Sequence, residues 1–356
     1  MRETKKDDIT EVLKIISPGT PIREGLENIL KAKTGGLIVI GDSQEVLDIV
    51  DGGFNINEEY TPSRLYELAK MDGAIVISSD LKKILYANTQ LIPNPEIETK
   101  ETGTRHRTAE RTAKQTKQLV ISISQRRSVI TVYKGNSKYV IEDTSKVLEK
   151  ANQALQTAEK YKKVYDREIN TLNEYEFNDI VTLENVITVI QRAELVMKMV
   201  DEVRCMVYEL GEEGRLVEMQ LEELVGDLEK EENLIIKDYV TKKKKAEKVL
   251  KEIIDLEVQN LLNPTTIAKI LGYENFENFD EVGVYTKGYR ILSKVPKMPS
   301  NIVDNLIKSF KSFQHILIAD IPALDEVEGI GEVRARTIKQ SLERMQEQFV
   351  FDKMLS

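Results

Sequence analysis

Residues suited to phosphate chemistry stand together in the stretch from Gly103 to Glu110. Three cationic or titratable side chains are consecutive there, with a hydroxyl on each side: Thr104, Arg105, His106, Arg107 and Thr108. The residues that follow, 109–116, contain no Gly or Pro and predict a helix. Cations at a helix start are unfavourable because the positive end of the macrodipole lies there. A bound anion, held by free backbone N–H groups and by the cations, removes this disadvantage. The stretch therefore favours a phosphate site, and the alternative is a solvated basic turn.

A second candidate is Asp72-Gly73-Ala74, between a predicted helix over 64–71 and a predicted strand over 74–78. Asp-Gly is common in turns, so the triplet also fits a turn with no ligand. The carboxylate could instead bind a hard divalent cation and accept a hydroxyl proton, with glycine letting a ligand approach the backbone. Ser124 and Arg127, which end another predicted strand, could add a hydroxyl and a cation or form a charged hairpin edge. None of these stretches is a Walker A or a dinucleotide-binding glycine motif.

The elements that must position these residues alternate in type over residues 1–145. Helical patterns are predicted over 11–16, 22–32 and 64–71, and apolar runs bounded by turn signals predict strands, listed here: 37–40, 74–78, 84–87, 119–124, 128–132 and 138–141. The last two strands flank the turn signal 133–136 and predict a hairpin. Helices alternating with strands, followed by a hairpin, indicate an α/β domain with a mixed sheet.

From about residue 146 the pattern becomes helical. Apolar residues recur at helical spacing through 146–285, which predicts an all-α spine or bundle with a charged outer face. The run Lys242–Lys245 lies inside this region beside many acids, so we interpret it as a solvated helix face rather than a nucleic-acid patch. Asn263-Pro264 is a helix start signal.

A third candidate site lies in the last region, 286–356, which is predicted to consist of short helices. The run from Val327 to Arg336 fits a helix-hairpin-helix. Gly329 and Gly331, on either side of Ile330, permit a tight turn and a close approach of the backbone to a DNA phosphate, and Arg334 with Arg336 could reach the same strand. Leu324, Val327, Ile330 and Ile338 are the expected small core. The alternative is a plain helical hairpin, since Glu328 and Glu332 flank the loop.

Composition narrows the class of protein. The chain has 356 residues, 31% of them charged and 41% hydrophobic, with a net charge of −9. That length predicts two or three domains, and the acidic balance confines any DNA contact to a local patch. One cysteine, Cys205, excludes an intramolecular disulfide and a cysteine-rich zinc site within one chain. The polar first residues contain no signal peptide or membrane-spanning pattern, so we expect a soluble cytoplasmic protein without membrane contact.

Asp72-Gly73-Ala74 followed by Gly103-Thr-Arg-His-Arg-Thr-Ala-Glu-Arg111 resembles the diadenylate cyclase domain. With the helical region and the carboxyl-terminal hairpin, the whole chain resembles the DNA integrity scanning family of these cyclases. The resemblance implies a diadenylate cyclase domain over 1–145, a helical spine over 146–285 and a helix-hairpin-helix DNA-binding domain over 286–356.

The resemblance also implies a reaction and its residues. Members of this family join two ATP molecules into cyclic di-AMP and release two pyrophosphates, with Mg²⁺ or Mn²⁺. By matched position, Asp72 would bind the metal and activate the 3′-hydroxyl, and Gly73 with the backbone of Leu91 would frame the nucleoside. The phosphates would be bound by Thr104, Arg105, His106, Arg107 and Thr108, with Ser124 and Arg127 as further contributors.

Finally, the resemblance implies partners and a setting. A homo-octamer would bring cyclase domains face to face, and the carboxyl-terminal domain would bind branched or junction DNA in damage surveillance and repair, in the cytoplasm and at the nucleoid. A different class of function stays open: a DNA-binding scaffold protein whose nucleotide domain only senses ATP.

Overall fold

Two compact units make up the chain in this computed structural model, which describes residues 7–274, 276 and 278–355. The first unit comprises residues 1–153 together with 202–219, and the second comprises 154–201 together with 220–356.

An eight-stranded mixed sheet is the centre of the first unit. Its strands are β1 (Gly36–Ile40), β2 (Val50–Asp51), β3 (Phe54–Glu59), β4 (Ala74–Ile77), β5 (Lys83–Leu91), β6 (Leu119–Ser124), β7 (Val129–Lys134) and β8 (Ser137–Ile141). The order is β2-β5-β4-β1-β6-β7-β8, with β3 also paired to β5. Strands β1 and β4 run parallel, and the other pairs are antiparallel. The predicted mixed sheet is confirmed, whereas β2 and β3, which are mostly exposed, were not predicted.

Helices cover both faces of this sheet. They are α1 (Asp7–Ile16), α2 (Pro21–Lys31), α3 (Gln44–Leu47), α4 (Pro62–Leu68) and α5 (Thr104–Thr116). Because side chains alternate along a strand, Ile38 and Ile40 pack in one core with the apolar residues of α1, α2 and α4. Leu37 and Val39 pack in the opposite core, where Ala109 and Ala113 of α5 lie. The sheet is therefore buried between two helical layers, and α5 is fixed against it by small residues.

The chain then becomes helical, as predicted. The helices are α6 (Thr144–Asn178), α7 (Leu183–Leu210), α8 (Arg215–Val225), α9 (Leu228–Tyr239), α10 (Ala246–Ile254), α11 (Val258–Leu261) and α12 (Pro264–Leu271). Asn263 caps α12 by accepting a hydrogen bond from the N–H of Thr265 at 3.0 Å. The interpretation of Lys242–Lys245 as a helix face is wrong, because α9 ends at Tyr239 and the run forms the loop before α10.

Among the residues that the structure describes, five helices form the last region of the second unit. They are α13 (Tyr289–Ser293), α14 (Ser300–Phe310), α15 (Phe313–Ile318), α16 (Ile321–Asp325) and α17 (Glu332–Leu355). The apolar residues expected in the hairpin core are all buried in one cluster: Leu324, Val327, Ile330 and Ile338.

Among the described residues, every helix is too short or too polar to cross a bilayer.

Candidate functional site

One edge of the sheet gathers the predicted nucleotide-binding residues. Strands β1 and β4 begin there and β5 and β6 end there, since Ala74 is paired with Thr89 and Gly36 with Ile123. A cavity of about 560 Å³ opens at this edge, lined by Leu37, Asp72, Gly73, Ala74, Asn88, Thr89, Gln90, Leu91, Thr104, Arg105 and Thr108. The structure thus brings together two motifs that are far apart in the sequence, in a space large enough for a small ligand.

The Asp72-Gly73 turn is held against the end of β5 by a close backbone contact. The N–H of Gly73 donates to Oδ1 of Asn88 at 3.2 Å. A Cβ atom at Gly73 would lie 2.3 Å from the carbonyl carbon of Asn88, a distance that real Cβ atoms do not reach. Asn88 itself has φ of 53°, in a region where asparagine is enriched. Glycine is therefore required at position 73, and the turn leaves the exposed Asp72 carboxylate at the cavity wall.

The amino terminus of α5 forms the opposite wall. The cap residue, Gly103, provides no side-chain hydrogen bond, and the first turn has no acidic residue. The first N–H groups of a helix have no intrahelical acceptor, so they are available to an anion. Thr104, Arg105 and Thr108 add two hydroxyls and a guanidinium at the same wall. The predicted cations lie within the first turn of α5 rather than before it.

The guanidinium of Arg105 lies against a glycine. A Cβ atom at Gly35 would come within 1.9 Å of Nη1 of Arg105 and 3.3 Å of the carbonyl oxygen of Ile123. Gly35 precedes β1 and Ile123 is the penultimate residue of β6, so Arg105 reaches across the ends of these two strands. A larger residue at position 35 would displace this side chain.

His106 points to a hydrogen-bonded chain outside the cavity. Its Nδ1 lies 3.0 Å from the hydroxyl of Tyr133, and that hydroxyl donates to Oε1 of Glu101 at 3.0 Å. Because the Tyr133 proton is donated to Glu101, the hydroxyl oxygen accepts from an Nδ1–H of His106, an assignment based on the hydrogen-bond pattern. Burial lowers the pKa of His106, and the charge of Glu101 opposes this while Lys138 adds to it. Burial would raise the pKa of Glu101, but hydrogen bonds from Lys138 and Tyr133 outweigh it and lower that pKa.

Arg107 lies in a neighbouring cavity of about 450 Å³, which is lined by Glu98, Thr99, Lys100, Glu101, Arg107, Arg111 and Lys114. Polar residues of α5 hold the preceding loop there, since Nε of Arg111 donates to the carbonyl of Ile97 at 2.9 Å and Glu110 accepts from the N–H of Lys100 at 3.2 Å. The exposed Arg107 thus faces a different space from Arg105, although the two residues are separated by one position.

Ser124 and Arg127 lie at the same sheet edge. Neither is among the described residues that line the cavity at Asp72. The hydroxyl oxygen of Ser124 accepts from the N–H of Arg127 at 3.3 Å, so it caps the turn between β6 and β7. The charge of Arg127 contributes, with those of Lys138 and Arg105, to lowering the pKa of His106.

The donor set at the cavity fits a hard cation shared with a ligand. Within the described residues, Asp72 is the cavity's only carboxylate, and no group of three or more His, Cys, Asp or Glu side chains could enclose a metal. Mg²⁺ is commonly held by one or two carboxylates together with substrate phosphates and water. The Asp72 carboxylate, opposite a helix amino terminus that is suited to phosphate, matches that arrangement.

Four cavity residues were not predicted: Leu37, Asn88, Thr89 and Gln90. The strand predicted over 84–87 continues to Leu91, so the prediction ended before Asn88, Thr89 and Gln90. The polar Asn-Thr-Gln run carries no apolar alternation, and its role depends on the register of β5 against β4, which has a bulge there. The asparagine was the available signal, because this residue often adopts a left-handed backbone.

The carboxyl-terminal hairpin has the predicted turn. Gly329 has φ of 83°, and a Cβ atom there would come within 2.5 Å of Cδ1 of Ile302, whereas a Cβ atom at Gly331 would meet open space. Ile330 is buried beneath the turn. Nη1 of Arg334 donates to the carbonyl of Gly329, and Nη2 of Arg336 is 2.5 Å from Oε1 of Glu332.

Two family models match the region that contains the sheet and the helical region that follows it. The family model described as "DisA bacterial checkpoint controller nucleotide-binding" matches residues 23–138, and the "DisA bacterial checkpoint controller linker region" matches residues 141–279. The chain is 55% identical over 355 residues to the DNA integrity scanning protein DisA of Clostridium perfringens strain SM101, covering 100% of both chains. It is 56% identical to that of Clostridium botulinum strain Eklund 17B, again over 100% of both.

A solved structure of Staphylococcus aureus DacA, a double mutant, aligns with 38% of this chain and 90% of its own, at 21% identity and a TM-score of 0.29. On the two family models and the full-length identities, the chain belongs to the DNA integrity scanning protein DisA family.

Proposed function

We propose that the chain is a diadenylate cyclase that condenses two ATP molecules into cyclic di-AMP and two pyrophosphates. The observation that carries this proposal is the single cavity in which Asp72 faces the uncapped amino terminus of α5 with Arg105. A triphosphate needs cationic and N–H donors, a 3′-hydroxyl nucleophile needs a carboxylate to take its proton, and this cavity supplies both. Phosphoryl transfer depends mainly on positioning and charge neutralisation, which suits such a site.

The residues of the cavity act on different parts of the two ATP molecules. Asp72 accepts the proton of the 3′-hydroxyl of one ATP while the 3′-oxygen bonds to the α-phosphorus of a second ATP. The bond from that phosphorus to the pyrophosphate oxygen breaks in the same step. The polyphosphate lies along the first turn of α5, bound by Thr104, Arg105 and Thr108. Gly73 and the backbone of Leu91 border the nucleoside. Bound Mg²⁺ or Mn²⁺, held by Asp72 and phosphate oxygens, would neutralise charge on the phosphates.

The remaining predicted residues have roles farther from the cavity. Arg107 is proposed to balance charge as pyrophosphate leaves toward the neighbouring cavity, and His106 to hold the α5 terminus through Tyr133. Ser124 and Arg127 are proposed to shape the adjoining turn. Because one cavity holds one ATP, two cyclase domains must meet face to face, and we propose a homo-oligomer, an octamer, for this purpose.

We also propose that the carboxyl-terminal region, 286–356, binds the backbone of branched DNA. The open amide at Gly331 and the amino terminus of α17 are suited to phosphate, and such contacts are independent of base sequence. In this scheme residues 1–145 form the cyclase domain and 146–285 the connecting helical region. DNA binding would adjust synthesis during damage surveillance and repair, in the cytoplasm and at the nucleoid.

The test is incubation of the purified full-length protein with ATP and Mg²⁺, followed by chromatography. Cyclic di-AMP should form, and Asp72→Asn should reduce its rate by roughly 10²-fold or more, because the proton acceptor is lost. Asp72 is exposed, so this variant should keep the wild-type melting temperature. Glu96→Gln, at an exposed carboxylate outside the cavity, is the matched control and should keep full activity. ATP binding without any cyclic dinucleotide would favour the ATP-sensing scaffold protein instead.

A further inference from the structure

The carboxyl-terminal region contains two hairpins of the same construction. The first hairpin is α13 and α14 joined by the first loop (residues 294–299), and the second is α16 and α17 joined by the second loop (residues 326–331). The helix ends on either side of the first loop lie the same number of residues before the corresponding helix ends on either side of the second loop. The buried apolar residues correspond at the same offset: Leu292 with Leu324, Val295 with Val327, Val303 with Ala335, and Leu306 with Ile338.

The loop backbones correspond as well. The N–H of Val295 donates to the carbonyl of Leu292 at 3.1 Å, and the N–H of Val327 donates to Leu324 at 3.3 Å. Lys297 has φ of 56° at the position where Gly329 has φ of 83°. A lysine with positive φ is uncommon, so the first loop makes the same tight turn without the glycine that favours it.

The two loops differ in what they offer to an anion. Pro299 stands where the second loop has Gly331, and proline has no N–H to donate. In place of that amide the first loop presents Lys297, an exposed cation at the tip of the turn. The second loop is suited to backbone contacts with phosphate, and the first is suited to a contact through a side-chain ammonium.

The loops also share one cavity. A space of about 620 Å³ is lined by Pro296 and Lys297 from the first loop and, from the second hairpin, by Gly331, Glu332, Val333, Arg334 and Thr337. The hairpins contact each other directly, because Nδ2 of Asn305 on α14 donates to the carbonyl of Glu328 at 3.0 Å. The carboxylate of Glu332 is paired with Arg336, which leaves the cations Lys297 and Arg334 facing the shared space.

We propose that the first loop is a second DNA-phosphate site, in which Lys297 binds a backbone phosphate beside the one bound at the Gly331 amide. The occupant is a nucleic-acid backbone because Lys297 of the first loop and Arg334, in the helix after the second loop, border the same space, which suits a polymer with repeated phosphates. The inference rests on the proposed DNA binding and extends it to a hairpin whose sequence lacks the glycine signature.

The test measures binding of the full-length protein to a fluorescent four-way junction at several salt concentrations. One released counterion corresponds to about 5-fold in affinity at 0.15 M salt, so Lys297→Ala should weaken binding about 5-fold and reduce the salt slope by about 1. Lys297→Arg should keep both. Lys308→Ala, at an exposed lysine on α14 outside the cavity, should bind like the wild type.

Two outcomes would separate this inference from the function on which it rests. If Gly331→Val weakens binding while Lys297→Ala binds like Lys308→Ala, the first loop is only a structural repeat and the inference is overturned. If the wild-type protein binds no junction at any salt concentration, the proposed DNA binding itself fails, and the second site fails with it.

Discussion

The amino termini of α5 and α17 present cations to solvent in two different settings. Both helices follow a glycine and carry two arginines near their amino termini: Arg105 and Arg107 in α5, and Arg334 and Arg336 in α17. The first turn of α5 has no acidic residue and borders a walled cavity with the Asp72 carboxylate. The first turn of α17 contains Glu332, which pairs with Arg336, and the preceding Gly331 meets open space.

This difference indicates which kind of phosphate each terminus suits. A small ligand needs walls on several sides and a group that acts on it, and α5 has both. A polymer backbone needs repeated phosphate contacts, and at α17 the space beside Gly331 is free for a Cβ atom while Lys297 and Arg334 border the adjoining cavity. A cationic helix start is therefore insufficient to assign a ligand, and the surroundings determine it.

The largest expected effect sharpens the role of the α5 wall. Arg105→Ala should reduce cyclic di-AMP synthesis by roughly 10²-fold, because a cationic donor to the polyphosphate is removed from the cavity. Arg107→Ala, which changes the neighbouring cavity, should have a smaller effect. Initial rates at saturating and limiting ATP measure both, with Arg64→Ala on α4 as the exposed-arginine control. Equal losses for Arg105→Ala and Arg107→Ala would contradict the separation of the two cavities.

An intermediate effect tests the open approach at α17. Gly331→Val should weaken DNA binding by about 10-fold, since a charged hydrogen bond is worth about 1.5–3 kcal/mol and the side chain blocks the amide. Its melting temperature should stay close to wild type, because a Cβ atom there meets no other atom. Gly329→Val should instead lower the melting temperature, owing to its positive φ and the contact with Ile302. Normal junction binding by Gly331→Val would contradict a contact between the Gly331 amide and a DNA phosphate.

The smallest effect concerns His106. Burial lowers its pKa from the ordinary 6.5, so the unfolded state takes up this proton first as the pH falls. The contribution of neutral His106 to the free energy of unfolding is fully present above pH 6.5. It is lost as the pH falls toward the pKa of His106 in the folded state. An NMR titration should show one histidine signal with a midpoint below 6.5 that is absent in His106→Gln. A midpoint above 6.5 for that signal would show that Glu101 outweighs burial.

Much of the fold was predictable from local patterns. Six strands and most of the helices around them follow from apolar periodicity and from Gly or Pro boundaries, and α12 is capped at Asn263-Pro264, where those residues predict a helix start. Strands β2 and β3 were not predicted because β2 has two residues and β3 is mostly polar and exposed, and both are held by pairing with β5. Lys242–Lys245 was assigned to a helix since nothing in its composition marks the end of α9 at Tyr239.

The site was predictable in its residue types more than in its geometry. Asp72 and Arg105 are brought to one cavity by the sheet register, which a single sequence does not specify. Arg107 differs from Arg105 in direction because helical neighbours two positions apart face different sides. Asn88 lines the cavity through a bulge and a left-handed backbone, both of which depend on Gly73 and its contact across the strands.

The central claim is that the Asp72 cavity turns over ATP instead of only binding it. The most direct measurement follows bound ATP, released pyrophosphate and cyclic di-AMP in the same sample of full-length protein with Mg²⁺. The account predicts two pyrophosphates for each cyclic di-AMP in the wild type, and ATP binding with neither product in Asp72→Asn. Saturable ATP binding by the wild type with no pyrophosphate released would contradict it.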